Sequence, residues 1–158
     1  MKSILILLAN GALAFAGPAT AQDGREQWPE GSARHTLLVE AEREQALRPA
    51  LDAAYARLLA AFDDTADDPA PLAQAVAAQQ QAWLAYRDSD CQLAGMLTGA
   101  GGAWPHVHAL TCSNALLAQR TAVLDTAAAC LQRLPVERYP SDEEACLQPL
   151  VDGKTGEP

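Results

Sequence analysis

The sequence predicts an all-α protein, a small antiparallel helical bundle stapled by two disulfides, and three observations carry that prediction. Apolar residues recur three and four positions apart over long stretches, the spacing of one helical face. No stretch alternates apolar and polar residues with period two, and only 5% of the residues are aromatic, so the patterns of strands are missing. Four cysteines, Cys91, Cys112, Cys130 and Cys146, follow an N-terminal export leader, and thiols bound for an oxidising compartment pair.

A chain of 158 residues that is 49% hydrophobic and 20% charged fits one domain with a core of its own. Its 11 lysines and arginines face 20 acidic residues, for a net charge of −9. Such a chain repels nucleic-acid phosphates and anionic headgroups, which excludes nucleic acid as a partner. The acidity serves solubility or the attraction of a basic partner.

Residues 1–21 read as a signal peptide. Lys2 precedes the apolar runs from Ile4 to Leu8 and from Ala12 to Ala16; Gly17 and Pro18 follow, and Ala19-Thr20-Ala21 is a small-x-small site with cleavage expected after Ala21. The run is short and broken by Asn10 and Gly11, and no later segment offers the roughly 18 to 20 apolar residues of a membrane helix. Because Cys91 is the first cysteine, no lipid anchor is expected. The mature chain is expected in the periplasm or secreted.

The elements follow in order. Residues 22–34 are polar and aperiodic, with Gly24, Pro29 and Gly31, and read as a flexible N-terminal arm. The helical domain is expected over 35–151. Leu37, Leu38 and Ala41 open a stripe that resumes at Leu47 and continues through Leu51, Ala54, Tyr55, Leu58 and Phe62. Pro49 either separates two helices near Arg48 or kinks one. After an acidic turn at Asp63, Asp64, Asp67 and Asp68, the pair Asp68-Pro69 reads as an N-cap and first helical residue. The helix it opens runs toward Met96 and turns Leu72, Val76, Trp83, Leu84, Cys91, Ala94 and part of Arg87 inward. Thr98 to Pro105, with three glycines and a proline, is a loop. Val107, Leu110, Leu117, Leu124 and Leu131 mark the longest helix, ending near Leu134. Ser141 and Glu144 have capping-box spacing for a last short helix, and residues 152–158 read as a loose tail.

The helices rank the disulfides. On one helix Cys112 and Cys130 lie about 27 Å apart at 1.5 Å per residue, far beyond the roughly 4.4 to 6.8 Å between bonded Cα atoms. In the hairpin Cys91 faces Cys112, so the expected pairs are Cys91 with Cys112 and Cys130 with Cys146.

No catalytic residues are identified. Asp88 and Asp90, two apart, point to different sides of a helix and form no glycosidase-like carboxylate pair. Ser113 and Ser141 lack a nucleophile motif. No cofactor is expected, since the strings for covalent haem and for a di-iron bundle are absent. His106 and His108 with Cys91 and Cys112 have the ligand types of a zinc or copper site, but an oxidising compartment favours disulfides over thiolates. A periplasmic metal-binding protein using His106 and His108 is therefore the alternative reading, beside an envelope protein with another partner.

The string QQQAWLAYRDSDC, from Gln79 to Cys91, is followed by the glycine-rich loop, Cys112 and CSNALLAQRTAVL, which contains Arg120 and Leu124. Together with Leu51-Asp52-Ala53-Ala54-Tyr55 upstream, it resembles the LprI-type lysozyme-inhibitor family of bacterial exported proteins, over about Leu47 to Leu124. Tyr55, Trp83, Tyr86, Arg87 and Arg120 carry the motif, with Asp52 where the family has Asn and Gln81 where arginine is frequent. Their expected role is structural, with Arg87 capping the Trp83 indole or pairing with a carboxylate such as Asp52. The resemblance implies a binding protein rather than an enzyme, with a basic lysozyme-type hydrolase as partner. On that reading a loop pinned by Cys91 and Cys112 presents Gly101, Gly102, Trp104 and His106 to a carboxylate-lined cleft.

Overall fold

Ser32 sets the start of the first helix: its hydroxyl accepts from the His35 amide at 3.2 Å, and its carbonyl accepts from the Thr36 hydroxyl at 3.0 Å. Helix α1 spans Ala33–Leu59 in the computed structural model, which describes residues 24–62, 71–135 and 139–152. The leader, the acidic turn with its Asp68-Pro69 cap, and the tail beyond Asp152 lie outside the described residues.

One expectation for this region changes and one open alternative is decided. The described part of the arm at 22–34 carries structure: Gly24–Gln27 form a 3-10 turn, and Arg25 pairs with Glu42 of α1 at 2.8 Å. The helix starts at Ala33 because Ser32 supplies a cap that lay inside the presumed arm. Pro49 does not divide the element, since α1 runs through it to Leu59.

Helix α2 spans Pro71–Leu97 and turns Val76, Gln80, Arg87, Cys91 and Gly95 inward. Thr98 then ends it, its hydroxyl donating to the Gly95 carbonyl at 2.7 Å. Gly99 and Gly102 turn the chain at φ of 62° and 65°, conformations that side chains strain to adopt. Helix α3 spans Trp104–Arg133, so Trp104 and Pro105 leave the expected loop and form the first helical turn. Proline is tolerated there because the first amides of a helix have no partner within it.

Helix α4 spans Pro140–Asp152 and begins differently from the Ser141/Glu144 expectation. Pro140 occupies its first position, and Asp142 accepts from the Tyr139 amide at 3.1 Å. The reciprocal half of a capping box is thus made by Asp142 instead of Glu144.

α3 is the central helix, with α1, α2 and α4 each packed on it. Asn114 meets Glu40 and Asp125 meets Arg57, so α1 runs parallel to α3. The α2–α3 hairpin and the pairing of Cys130 with Cys146 make α2 and α4 antiparallel to it. Leu117, Leu124 and Leu131, two turns apart, form the spine of the core with Leu58, each no more than 1% exposed. Burial of each such leucine contributes about 1.5 to 3 kcal/mol. No strand occurs among the described residues, and the fold is the expected all-α bundle.

Both expected disulfides are present, Cys91–Cys112 and Cys130–Cys146, each with Cα atoms 5.4 Å apart. The first clamps α2 to α3 one turn from Gly95, whose backbone lies against the Pro105 carbonyl and Ala109.

Candidate functional site

The hairpin end of the bundle gathers four segments. The start of α1, the last turns of α2, the 98–103 turn and the first turns of α3 meet there, because α1 and α3 start at the same end and α2 finishes at it. Open hollows of about 400 and 540 Å³ flank His106. The first is walled by Leu37, Glu44, Asp88, Cys91 and Ser113; the second by Trp28, Arg34, Leu37 and Gly102.

Each expected contact residue can now be placed. Gly101 and Gly102 are exposed in the turn, and the Trp104 amide donates to the Gly101 carbonyl at 3.4 Å. Trp104 and His106 stand on the first turn of α3, where the helix backbone holds them more firmly than the expected loop would. Trp104 is 37% exposed, with its ring 6.1 Å from that of His108 and tilted by 36°. His106 and His108 are both exposed, and His108 sits beside Trp104.

Sequence reasoning missed the apolar residues around them. Leu93, Met96 and Leu97 on the last turns of α2 are 53%, 68% and 76% exposed. Their signal was present: they fall off the inward stripe of Arg87, Cys91 and Gly95. Trp28, 44% exposed with the Arg34 guanidinium 5.8 Å from its ring centre, had no such signal, being an isolated aromatic in an aperiodic segment.

The metal-ligand set of His106, His108, Cys91 and Cys112 is not assembled. The two sulfurs are bonded to each other, and no group of three or more metal-ligating side chains comes together among the described residues.

Four of the motif residues, Trp83, Tyr86, Arg87 and Arg120, form a second cluster on α2 and α3. Trp83 is half-buried, with the guanidinium carbons of Arg87 and Arg120 at 5.9 and 5.4 Å from its ring centre. Arg87 is buried and takes Asp88 instead of Asp52, donating through Nε at 3.0 Å. Asp88, next in the chain, stands at the mouth of the burial site, whereas Asp52 is exposed on α1. Tyr86 is 58% exposed at the rim, and Tyr55 packs against the core from α1.

Arg120 is also buried, and its acceptors are all uncharged. Nε donates to Gln80 Oε1 at 2.9 Å, Nη2 to Gln79 Oε1, and Nη1 to the Leu150 carbonyl at 3.4 Å. Leu150 is in the last turn of α4, where carbonyls lack helical partners and a cation is favoured. Arg120 thereby ties three helices together. Burial pushes its pKa down from the ordinary 12.5 to about 10.

The family profile described as "Lysozyme inhibitor LprI" matches residues 31–124. No curated protein and no solved structure matches the chain. The matched segment opens one residue before the Ser32 cap and takes in α1, α2, the Cys91–Cys112 hairpin and α3 as far as Leu124. α4 and its disulfide lie beyond it. Covering more than half of the sequence and all five motif residues, the match establishes that the chain belongs to the LprI lysozyme-inhibitor family.

Proposed function

We propose that this protein is an exported inhibitor of lysozyme and that it docks through the hairpin end of the bundle. The observation that carries this reading is the concentration of exposed apolar side chains, Leu93, Met96, Leu97 and Trp104, beside a turn clamped by a disulfide. Trp104 is the apolar anchor. Its indole, His106 and the amides of Gly101 and Gly102 supply donors to a carboxylate-lined cleft. The Cys91–Cys112 clamp lowers the conformational entropy lost on docking.

The net charge of −9 draws the chain toward a strongly basic hydrolase and speeds encounter at low salt. Two disulfides and the leader at 1–21 fit action outside the cytoplasm, in the periplasm or secreted. The role of Tyr55, Trp83, Tyr86, Arg87 and Arg120 in this function is to hold the bundle that presents the hairpin.

The experiment is inhibition of cell-wall lysis by several lysozyme types, using the purified oxidised chain at low and high salt. Stoichiometric inhibition of at least one type, weakened by salt, is the expected result. Absence of inhibition against every type would reject the reading and direct the search to another envelope partner.

A further inference from the structure

Two adjoining cavities, of about 250 and 220 Å³, lie in the cleft where α2 and α4 meet over α3 and share Gln79, Leu150 and Val151 as a common wall. Their chemistries differ. Arg120, Gln119, Trp83 and Tyr86 line the first, whereas Leu72, Ala75, Val76 and Leu147 line the second. A cation and amides therefore stand directly beside an aliphatic hollow.

Arg120 at the first cavity is only 4% exposed. A guanidinium carries five N–H donors, and the three acceptors Gln79, Gln80 and Leu150 leave one N–H on each terminal nitrogen without an acceptor. No carboxylate pairs with Arg120 among the described residues. A buried cation held by neutral groups alone is incompletely compensated, and an anion entering the cavity would complete it. The lowered pKa has the same origin, loss of water without gain of a counter-charge.

We propose that this cleft binds a small amphiphilic carboxylate, an aliphatic acid whose carboxylate meets Arg120 and whose chain lies against Leu72, Val76 and Leu147. Charge selects an acid over a neutral amphiphile, and the apolar hollow selects a chain over a bare anion. The bond from Gln79 Nε2 to the Leu150 carbonyl, 3.3 Å and long for its type, closes the wall between the cavities. It is the contact that a ligand reaching both would displace. The hairpin end shares no residue with this cleft, so the site stands independently of the lysozyme reading.

The test is calorimetric titration of the oxidised chain with octanoate, octanol and acetate. Octanoate is expected to bind one per chain, with octanol weaker by about tenfold or more, the worth of a charge-assisted contact, and acetate weaker by at least about as much for want of a chain to bury. Arg120→Gln should lower octanoate affinity by about the same factor. Because that change touches a structural network, Ala75→Trp serves as the second variant. Ala75 is exposed at the edge of the aliphatic hollow, so its indole should fill the hollow and abolish octanoate binding while leaving helicity unchanged. No heat with octanoate at millimolar concentration, equal affinity for octanoate and octanol, or unaltered binding in the Trp variant would each overturn the proposal.

Discussion

Gly95→Ala sets two physical effects of opposite sign against each other. Gly95 lies inside α2, where alanine is favoured over glycine by about 1 kcal/mol, so helix propensity alone predicts a more stable protein. The packing predicts the reverse. A Cβ at this position would run into the Pro105 carbonyl oxygen and stand 3.1 Å from the Ala109 Cβ. The obstacle is helix backbone, which cannot turn aside as a side chain can, and the Cys91–Cys112 clamp keeps α2 and α3 from parting there. Overpacking of this kind costs about 1 to 3 kcal/mol, and a backbone obstacle belongs at the upper end. Subtracting the propensity gain leaves a net loss of about 2 kcal/mol, or roughly 6 to 8 °C in Tm for a domain of this size. Thermal and urea unfolding of the oxidised variant measure it. Gly101→Ala is the control, because nothing lies within 4 Å of a Cβ there and its expected change is within about 0.5 kcal/mol. A Gly95→Ala protein as stable as the parent, or more stable, would refute the close helix approach on which the argument rests.

Three further outcomes are expected. Trp104→Ala should weaken lysozyme inhibition by about tenfold or more, whereas Asp90→Asn at an exposed rim position should change it less than about threefold; equal losses in dose–response curves would count against the docking end. Replacing Cys130 and Cys146 by serine opens a 16-residue separation and should lower stability by about 3 kcal/mol in the loop-entropy treatment, read as a drop in urea midpoint smaller than the one that reducing agent, which opens both bridges, causes in the parent. Arg120→Ala should cost about 3 kcal/mol or more, because it strands Gln79, Gln80 and the Leu150 carbonyl, whereas Arg120→Met, which refills the volume, should cost less; equal melting temperatures for the two would contradict this.

The helices were legible because each carries one apolar stripe, and the leucine steps of α3 located the core directly. Helix starts were harder. Pro105 and Pro140 look like breakers, yet both sit in first turns where a missing amide costs nothing, and Ser32 was hidden in a polar segment. The disulfide pairing was legible because helix rise forbids Cys112 from reaching Cys130 and the hairpin sets Cys91 opposite Cys112. The partners of Arg120 were not, since glutamines at 79 and 80 carry no charge to signal a match. At the candidate docking end, Trp104 and His106 could be chosen from the glycine-rich turn. Trp28 could not, because only the fold of the chain brings the segment before α1 beside residue 102.

The central position of α3 bears on how the molecule opens. α1, α2 and α4 each rest on one common helix, so excursions of the outer helices can proceed separately, whereas exposing α3 amides requires global unfolding. Hydrogen exchange should therefore be slowest around Leu117 to Leu131 and should rank the outer helices by how much of α3 each covers, with α1 slower than α4. The two sulfur bridges tether α2 and α4 at one point each, limiting how far either can swing before it closes again. A bundle built this way keeps its hairpin intact through partial openings elsewhere.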